Sequence, residues 1–243
     1  MSTKILKVVS MFVFVVFLVT ACSTRTVRGS GDLISEAREV SNFDRVNLSG
    51  LGEVLITQSG QESLVVETDD NLMEYIMTDV RGGTLMLGID PTKVMLIDPT
   101  QLMFTLQVKD LEGLDISGSG SIKAESIETD SLDVGVSGSG NALIDSCIAG
   151  EVAVDISGSG VVELAGEAAQ QRVDISGSGK YVAGDLYSDT ADVKISGSGD
   201  VTLWVDESLD ARLSGSSSLN YYGQPTVNSS GSGSSTVKSL GEK

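Results

Sequence analysis

The chain contains no histidine, only 3 prolines and 2 cysteines, and aromatic residues make up 5% of its 243 residues. Without histidine, Ser-His-Asp hydrolases, Cys-His proteases and enzymes with imidazole-bound metals are excluded. Basic residues are also scarce, since 16 Lys and Arg stand against 34 Asp and Glu, giving a formal net charge of −18. Because phosphate backbones are bound by clustered basic side chains, this balance argues against nucleic acid as a partner.

The N-terminus has the pattern of an export signal. Lys4 and Lys7 precede a nearly continuous apolar run from Val8 to Ala21. This run is shorter than the roughly 20 residues that a membrane-spanning helix needs. We therefore expect a signal peptide over residues 1–21.

The end of this signal, Leu18-Val19-Thr20-Ala21-Cys22, resembles the lipobox of bacterial lipoproteins. The resemblance implies that the thiol of Cys22 carries fatty-acyl (palmitate-type) lipid and that Cys22 becomes the new N-terminus. Ser23, rather than Asp, at the next position implies sorting to the outer membrane of a Gram-negative cell. An ordinary cleaved signal with a coincidental cysteine is the alternative.

The polar stretch after Cys22 contains Gly29-Ser30-Gly31 and predicts a lipidated tether over residues 22–38. With Cys22 consumed by lipid, Cys147 has no disulfide partner. No neighbouring cation or helix N-terminus is visible that would make Cys147 a reactive thiol, so we expect it to be a small core residue.

A Ser-Gly-Ser-Gly motif recurs at nearly constant spacing, which a flexible linker would not do. Its copies begin at Ser117, Ser137, Ser157, Ser176, Ser196, Ser214 (as Ser-Gly-Ser-Ser) and Ser230, at intervals of 20, 20, 19, 20, 18 and 16 residues. Residues one and three places before each of the first six corners are apolar, with a polar or small residue between them, and the alternation resumes after the corner. Each unit thus offers short half-apolar strands meeting at a bend.

A single unit of this kind cannot bury its apolar face, but stacked units can enclose one continuous column. We therefore predict an all-β fold, a single-stranded parallel β-helix (β-solenoid) with about 20 residues per coil, and right-handed winding by extension from parallel crossovers. The domain is expected over residues 39–243. We expect residues 113–238 to form its Ser-Gly-Ser-Gly coils and residues 39–112, which lack the Ser-Gly-Ser-Gly motif, to form irregular coils that cover one end.

Several segments resemble a known family. They are Val40 to Val46, Ser49-Gly50-Leu51-Gly52-Glu53-Val54, Glu67-Thr68-Asp69-Asp70-Asn71-Leu72, Gly82-Gly83-Thr84-Leu85 and the repeated corners. In this order they are similar to the auto-transporter adhesin head domain, also called the head GIN domain. The resemblance covers about residues 39 to 238 and implies a β-helical envelope protein, often an exported lipoprotein of Bacteroidetes-like bacteria. It implies no catalytic residues.

The outward row of the predicted solenoid offers an enzymatic alternative. Asp155 and Asp174 are expected to be stacked neighbours flanked by Lys194, the composition of an acid–base pair on a glycan-cleaving β-helix. A solvated charged face is the favoured interpretation, because such residues are common at the surface. The corners match neither a calcium nonapeptide nor a phosphate-binding loop, so no cofactor or metal is expected.

The scarce aromatic residues suggest a ligand contact. Trp204 and Tyr222 both lie eight residues after the first Ser of their corners, so we expect them to stack in adjacent coils at an outward place. Flat aromatic surfaces bind sugar rings or protein partners. The alternative is that the two rings cover the C-terminal end of the column.

The sequence thus predicts a non-catalytic, membrane-anchored binding or adhesion protein of the cell envelope, with a glycan or protein ligand. A glycan-active enzyme and a periplasmic envelope-stress or signalling module are the alternatives.

Overall fold

The computed structural model describes residues 26–243, so the predicted signal peptide and Cys22 lie outside the described residues. This part of the chain is almost entirely β-structure. Its strands are β1 (Thr26–Arg28), β2 (Leu33–Arg38), β3 (Arg45–Gly50), β4 (Glu53–Gln58), β5 (Ser63–Asp69), β6 (Ile76–Arg81), β7 (Thr84–Ile89), β8 (Leu96–Asp98), β9 (Leu102–Val108), β10 (Gly113–Gly118), β11 (Ser121–Ala124), β12 (Ile127–Gly138), β13 (Asn141–Gly158), β14 (Val161–Gly177), β15 (Lys180–Gly197), β16 (Asp200–Trp204), β17 (Ser208–Gly215), β18 (Ser218–Tyr222), β19 (Thr226–Gly233) and β20 (Thr236–Gly241). A short 3-10 turn occupies Met73–Tyr75.

The repeat coils stack as parallel strands in register, which confirms the predicted β-solenoid. Strands β3, β10, β12, β13, β14, β15, β17 and β19 form one wall, and each corner glycine pairs with its equivalent in the next coil. The glycines of this row are Gly50, Gly118, Gly138, Gly158, Gly177, Gly197, Gly215 and Gly233.

The interior of the stack is filled by aliphatic rows, as the period-two pattern predicted. The row directly before the corners is at most 5% exposed and consists of Leu48, Ile116, Val136, Ile156, Ile175, Ile195 and Leu213. Burying an aliphatic side chain of this size stabilises a fold by roughly 1.5–3 kcal/mol. The thiol of Cys147 is free and fully buried, and burial raises its pKa to about 11. It is a core residue, as predicted.

The corners require glycine for two separate reasons. Gly158 has φ of 129°, and a Cβ there would lie 2.4 Å from the carbonyl oxygen of Gly138 in the neighbouring coil. The second glycine, Gly160, would place its Cβ 2.4 Å from Cγ1 of Val136. Left-handed backbone and close contact between coils therefore coincide at the bend.

Two corners differ from the sequence prediction. Ser49-Gly50-Leu51-Gly52 is a corner, since Ser49 and Gly50 pair with Ser117 and Gly118; Leu51 in place of serine hid it. The last corner begins at Ser232 and not at Ser230, because Ser214 pairs with Ser232 and Gly233 has φ of 88°. The final interval is therefore 18 residues, as in the preceding coil.

The N-terminal half does not simply add coils in chain order. Strands β7 and β9 pair in parallel with β3 and β4, on the side away from β10 and β11. They therefore lie beyond the coil of β3 and β4, although that coil comes earlier in the sequence. Beyond them, β6 pairs antiparallel with β7, and β5 pairs antiparallel with β9. This antiparallel layer covers the end of the column, as expected of this half, although it is not built of coils.

The segment predicted as a tether is folded from Thr26 onward, which corrects the boundary at residue 38. Strand β1 pairs in parallel with β8, and β2 pairs antiparallel with β5. The fully buried carboxylate of Asp69 fastens this segment, because it accepts hydrogen bonds from the backbone N–H groups of Gly31 (2.8 Å) and Thr100 (2.7 Å). The polar composition concealed strands that are held by such side-chain contacts.

Candidate functional site

Trp204 and Tyr222 lie side by side on neighbouring coils. Strands β16 and β18 run in parallel with Trp204 directly paired to Tyr222, so the predicted adjacency is confirmed. Both residues are partly exposed, while Leu203 and Val205 on either side of Trp204 are buried. A further coil, β19 and β20, pairs beyond them, so the rings lie on the side wall of the stack rather than over its end.

Two residues that the sequence analysis did not single out complete this aromatic surface. The ring of Tyr187 meets the ring of Trp204 edge to face, with centroids 5.2 Å apart and planes at 85°. The ammonium of Lys243 lies 5.5 Å from the Trp204 centroid and 5.3 Å from the Tyr222 centroid, within the range of cation–π attraction. We call Tyr187, Trp204, Tyr222 and Lys243 the aromatic site.

Lys243 is also held by oxygen atoms at the edge of the aromatic site. Its ammonium donates to the carbonyl of Gly184 and pairs with the carboxylate of Asp185. Gly184 leaves room for the neighbouring ring, since a Cβ there would lie 3.2 Å from Cε2 of Tyr222. No repeat position marks these contacts, so the sequence pattern offered no signal for them.

The backbone beneath Trp204 is fixed by a buried polar network inside the column. The carbonyl of Trp204 accepts hydrogen bonds from Oγ of Ser188 (3.0 Å) and Nε2 of Gln171 (3.3 Å). Oε1 of Gln171 in turn accepts a hydrogen bond of 2.8 Å from the hydroxyl of Tyr181. Gln171, Ser188 and Tyr181 are all fully buried. Because satisfied buried networks are rigid, the aromatic site is held on a stiff wall.

Carboxylates surround the aromatic site. The hydroxyl of Tyr187 donates to Asp189 at 3.2 Å, and this bond, together with burial and the nearby charges of Asp206 and Glu207, raises the pKa of Tyr187. The phenol therefore stays neutral and remains a donor. Aromatic faces with neighbouring carboxylate acceptors suit a ligand that offers a flat apolar face and hydroxyl or amine donors.

The acidic row of the enzymatic alternative is present but ion-paired. Asp155, Asp174 and Lys194 are in register on successive coils, and Nζ of Lys194 lies 2.6 Å from Oδ2 of Asp174. Arg212 on the next coil pairs with Asp192 at 2.9 Å. Along this row two acidic residues, Asp155 and Asp174, are followed by two basic ones, Lys194 and Arg212. Ion-paired side chains of both signs on an open wall are typical of a solvated face.

An open groove of about 800 Å³ lies on another part of the surface. Its lining includes Asp110, Glu112, Glu128 and Asp130, with Ile148 at one side. Within this wall the side chain of Gln58 is bound to the backbone of Glu128, because it donates to the carbonyl of Glu128 and accepts from its N–H group. The groove lacks the flat aromatic faces that distinguish the aromatic site.

Residues 26–243 show neither a cluster of metal ligands nor a membrane-spanning helix. No group of three or more Cys, Asp or Glu side chains there is arranged to hold a metal ion. Within the same range, no helix has the length and apolar character needed to cross a bilayer.

The fold has counterparts among solved structures. A "putative adhesin" from Bacteroides fragilis is 30% identical, with a TM-score of 0.81, and the match covers 88% of this chain and all of that one. A "putative lipid binding protein" from Parabacteroides distasonis is 24% identical with a TM-score of 0.74, covering 89% of this chain and 100% of that one. A "putative adhesin" from Parabacteroides merdae is 21% identical with a TM-score of 0.72, covering 88% and 99%. The latter two show a shared fold.

No curated protein matches the chain. The family model described as "Putative auto-transporter adhesin, head GIN domain" matches residues 42–225, which include the corners and Trp204. This span agrees with the segments that carried the resemblance in the sequence. The chain therefore belongs to the head GIN domain family of adhesin-like proteins.

Proposed function

We propose that this protein is a lipid-anchored, non-catalytic binding protein of the bacterial cell envelope, and that the aromatic site contacts its ligand. The ligand class is a glycan or a protein segment that lays a flat apolar face on Trp204 and Tyr222. The observation that carries the proposal is the pairing of these two rings in register on a rigid wall. Membership of an adhesin-like family supports a binding role in the envelope or at the cell surface.

Attachment through Cys22 rests on the lipobox-like sequence, with Ser23 favouring the outer membrane. The geometry suits this arrangement. Six successive strand pairings separate β9 at the N-terminal end from β16, which carries Trp204. At about 4.8 Å per pairing, the aromatic site would lie about 30 Å from that end. A rod fixed at one end would thus hold the aromatic site clear of the membrane.

A non-catalytic role is supported by the chemistry of the surface. Lys194 and Asp174 neutralise one another in an ion pair. The aromatic site, for its part, contains no activated nucleophile held by a base. Turnover on a glycan panel that is abolished by Asp155→Ala or Asp174→Ala would contradict this part of the proposal.

The proposal is tested with a glycan and extracellular-matrix array, probed with the full mature chain carrying Cys22→Ser so that lipid cannot cause adsorption. We expect the array to identify a ligand, and Trp204→Ala to lose its binding while the melting temperature is unchanged. Tyr75→Ala, an aromatic substitution at the opposite end of the stack, is the matched control and should bind normally. Equal loss of binding and thermal stability in Trp204→Ala would instead assign the rings a structural role.

The face of the membrane on which the rod lies is tested separately. Protease treatment of intact cells should remove a surface-exposed rod and spare a periplasmic one. Survival of the protein would favour the envelope-stress or signalling alternative over adhesion.

A further inference from the structure

The most exposed hydrophobic side chain of the described residues lies at the N-terminal end of the stack. Met95 is 79% exposed and its neighbour Leu96 is 46% exposed, whereas Ile97 is buried in the core. The four residues Val94 to Ile97 are uncharged and apolar. A contiguous exposed pair of this kind at one end of an otherwise strongly charged protein indicates a contact surface.

The segment that presents this pair is held firmly. The N–H groups of Lys93 and Val94 donate to the carbonyl of Asp90 at 3.1 and 3.2 Å. The ammonium of Lys93 donates to the carbonyl of Glu74 at 2.7 Å. Beyond the pair, β8 is paired with β1. Met95 and Leu96 are therefore displayed by a hydrogen-bonded turn.

The position of this pair is tied to the start of the folded chain. Thr26 pairs directly with Leu96 in a parallel ladder, so the chain enters β1 at the same end at which Met95 enters β8. Cys22 precedes Thr26 by four residues, which span at most about 14 Å when fully extended. A lipid on Cys22 would therefore keep Met95 and Leu96 within that short reach of the bilayer.

We propose that Met95 and Leu96 form a membrane tip, which dips into the bilayer interface beside the lipid of Cys22 and sets the rod upright. This inference rests on the proposed lipid anchor. Apolar side chains at an interface enter to a depth of about 5–10 Å. Attraction between charges does not explain the contact, because the formal charge of −18 opposes approach to anionic lipid and to a second copy of the chain. Because salt screens this repulsion, added salt should not weaken membrane contact at the tip.

The test places an environment-sensitive fluorophore on Met95→Cys in the full-length lipidated protein, reconstituted in vesicles of phosphatidylethanolamine and phosphatidylglycerol. Labelling is selective, because acylation consumes the thiol of Cys22 and Cys147 is fully buried. Leu240→Cys is the matched control, since Leu240 is also an exposed hydrophobic residue (38%) but lies on β20 at the far end. We expect a blue shift and quenching by lipid-borne quencher at position 95, and neither at position 240.

Three outcomes would overturn the tip. If the probe at position 95 of the lipidated protein remains in water, the membrane tip is wrong although the lipid anchor is correct. If intact-mass measurement shows no acyl group on Cys22, the lipid anchor is wrong, and so is the membrane tip that depends on it. A blue shift that grows with protein density in the vesicle and resists the lipid quencher assigns Met95 to contact with a second copy.

Discussion

Trp204 and Tyr222 occupy equivalent places on two neighbouring coils, and the ammonium of Lys243 lies over both rings at 5.5 and 5.3 Å. The solenoid thus converts a sequence separation of 18 residues into a spacing of one strand. The Lys243 side chain is 31% exposed and therefore covers part of the surface that a ligand would use. Binding at the aromatic site requires this side chain to share the surface or to move.

Removing the ammonium of Lys243 should strengthen ligand binding. An exposed cation–π contact contributes about 0.5–1 kcal/mol, so Lys243→Ala should lower the Kd by up to about fivefold if the ligand displaces the ammonium. Calorimetric titration with the array ligand measures this. Lys238→Ala, which removes an exposed lysine on β20, is the control. A weaker affinity for Lys243→Ala would mean that the ligand binds beside Lys243 and uses its charge.

Gln171 should contribute to stability through the partners it satisfies. Gln171→Leu leaves the buried hydroxyl of Tyr181 without an acceptor, and we expect a loss of about 2–4 kcal/mol in the free energy of unfolding. Adding Tyr181→Phe removes the orphaned hydroxyl, so the double variant should be less destabilised than the sum of the two single variants. Urea denaturation measures all three proteins. Gln170→Leu, at the exposed neighbouring position, is the control and should be nearly neutral. If the losses of unfolding free energy in Gln171→Leu and Tyr181→Phe simply add in the double variant, the two residues are not coupled.

The repeat coils were predictable because one physical constraint recurs in every unit. Each corner needs glycine for positive φ and close stacking, and each strand needs an apolar residue every second place, so alternation in the sequence marks the inward positions. The adjacency of Trp204 and Tyr222 followed from the same repeat. The register at the last corner did not, because Ser230-Gly231-Ser232-Gly233 offers two overlapping corners, and only strand pairing selects Ser232.

The remaining features depend on contacts between residues distant in sequence. Nothing local in residues 26–38 reveals that Asp69 will hold Gly31, and the insertion of β7 and β9 outside an earlier coil is a matter of topology. Lys243 reaches the aromatic site from 39 positions beyond Trp204 in the chain. Such contacts carry no periodic signature.

Corner glycines should be far less tolerant of a side chain than loop glycines that also have positive φ. Gly158→Ala combines a φ of 129° with a Cβ 2.4 Å from the carbonyl oxygen of Gly138, whereas Gly60 has φ of 74° and open space around it. Positive φ alone costs roughly 1–2 kcal/mol near the left-handed helical region, where Gly60 lies, and no less at the larger φ of Gly158. The clash should make Gly158→Ala at least about 2 kcal/mol less stable than Gly60→Ala in thermal or urea unfolding. If Gly158→Ala and Gly60→Ala lose the same free energy of unfolding, neighbouring coils are not in close contact at the corner.

Docking of residues 26–38 should depend on the ionisation of Asp69. Burial opposes its charge, but the N–H groups of Thr100 and Gly31 outweigh burial and lower the pKa of Asp69 below its usual range. The carboxylate therefore contributes stability fully above the unfolded pKa of about 3.9, and this contribution is lost as pH falls through the lower folded pKa. Asp69→Asn should be less stable than wild type at neutral pH, and the difference should shrink below about pH 4.

The same substitution should have a local effect on hydrogen exchange. Each carboxylate oxygen of Asp69 accepts from one of two backbone amides, whereas asparagine has a single side-chain oxygen. The amides of Gly31 and Thr100 should therefore exchange faster in Asp69→Asn than in wild type. Asp110→Asn at an exposed position controls for the loss of one negative charge. Unchanged protection of both amides would mean that Asp69 does not hold the N-terminal segment.

Trp204 is the one tryptophan of the chain, so its fluorescence reports on the aromatic site alone. The most direct measurement is a titration of the array ligand into the Cys22→Ser protein, following Trp204 emission and the heat of binding in parallel. The account predicts a saturable change in emission whose midpoint matches the calorimetric Kd, with Tyr222→Ala weakening both signals together. Calorimetric binding that leaves Trp204 emission unchanged, and persists in Tyr222→Ala, would contradict it.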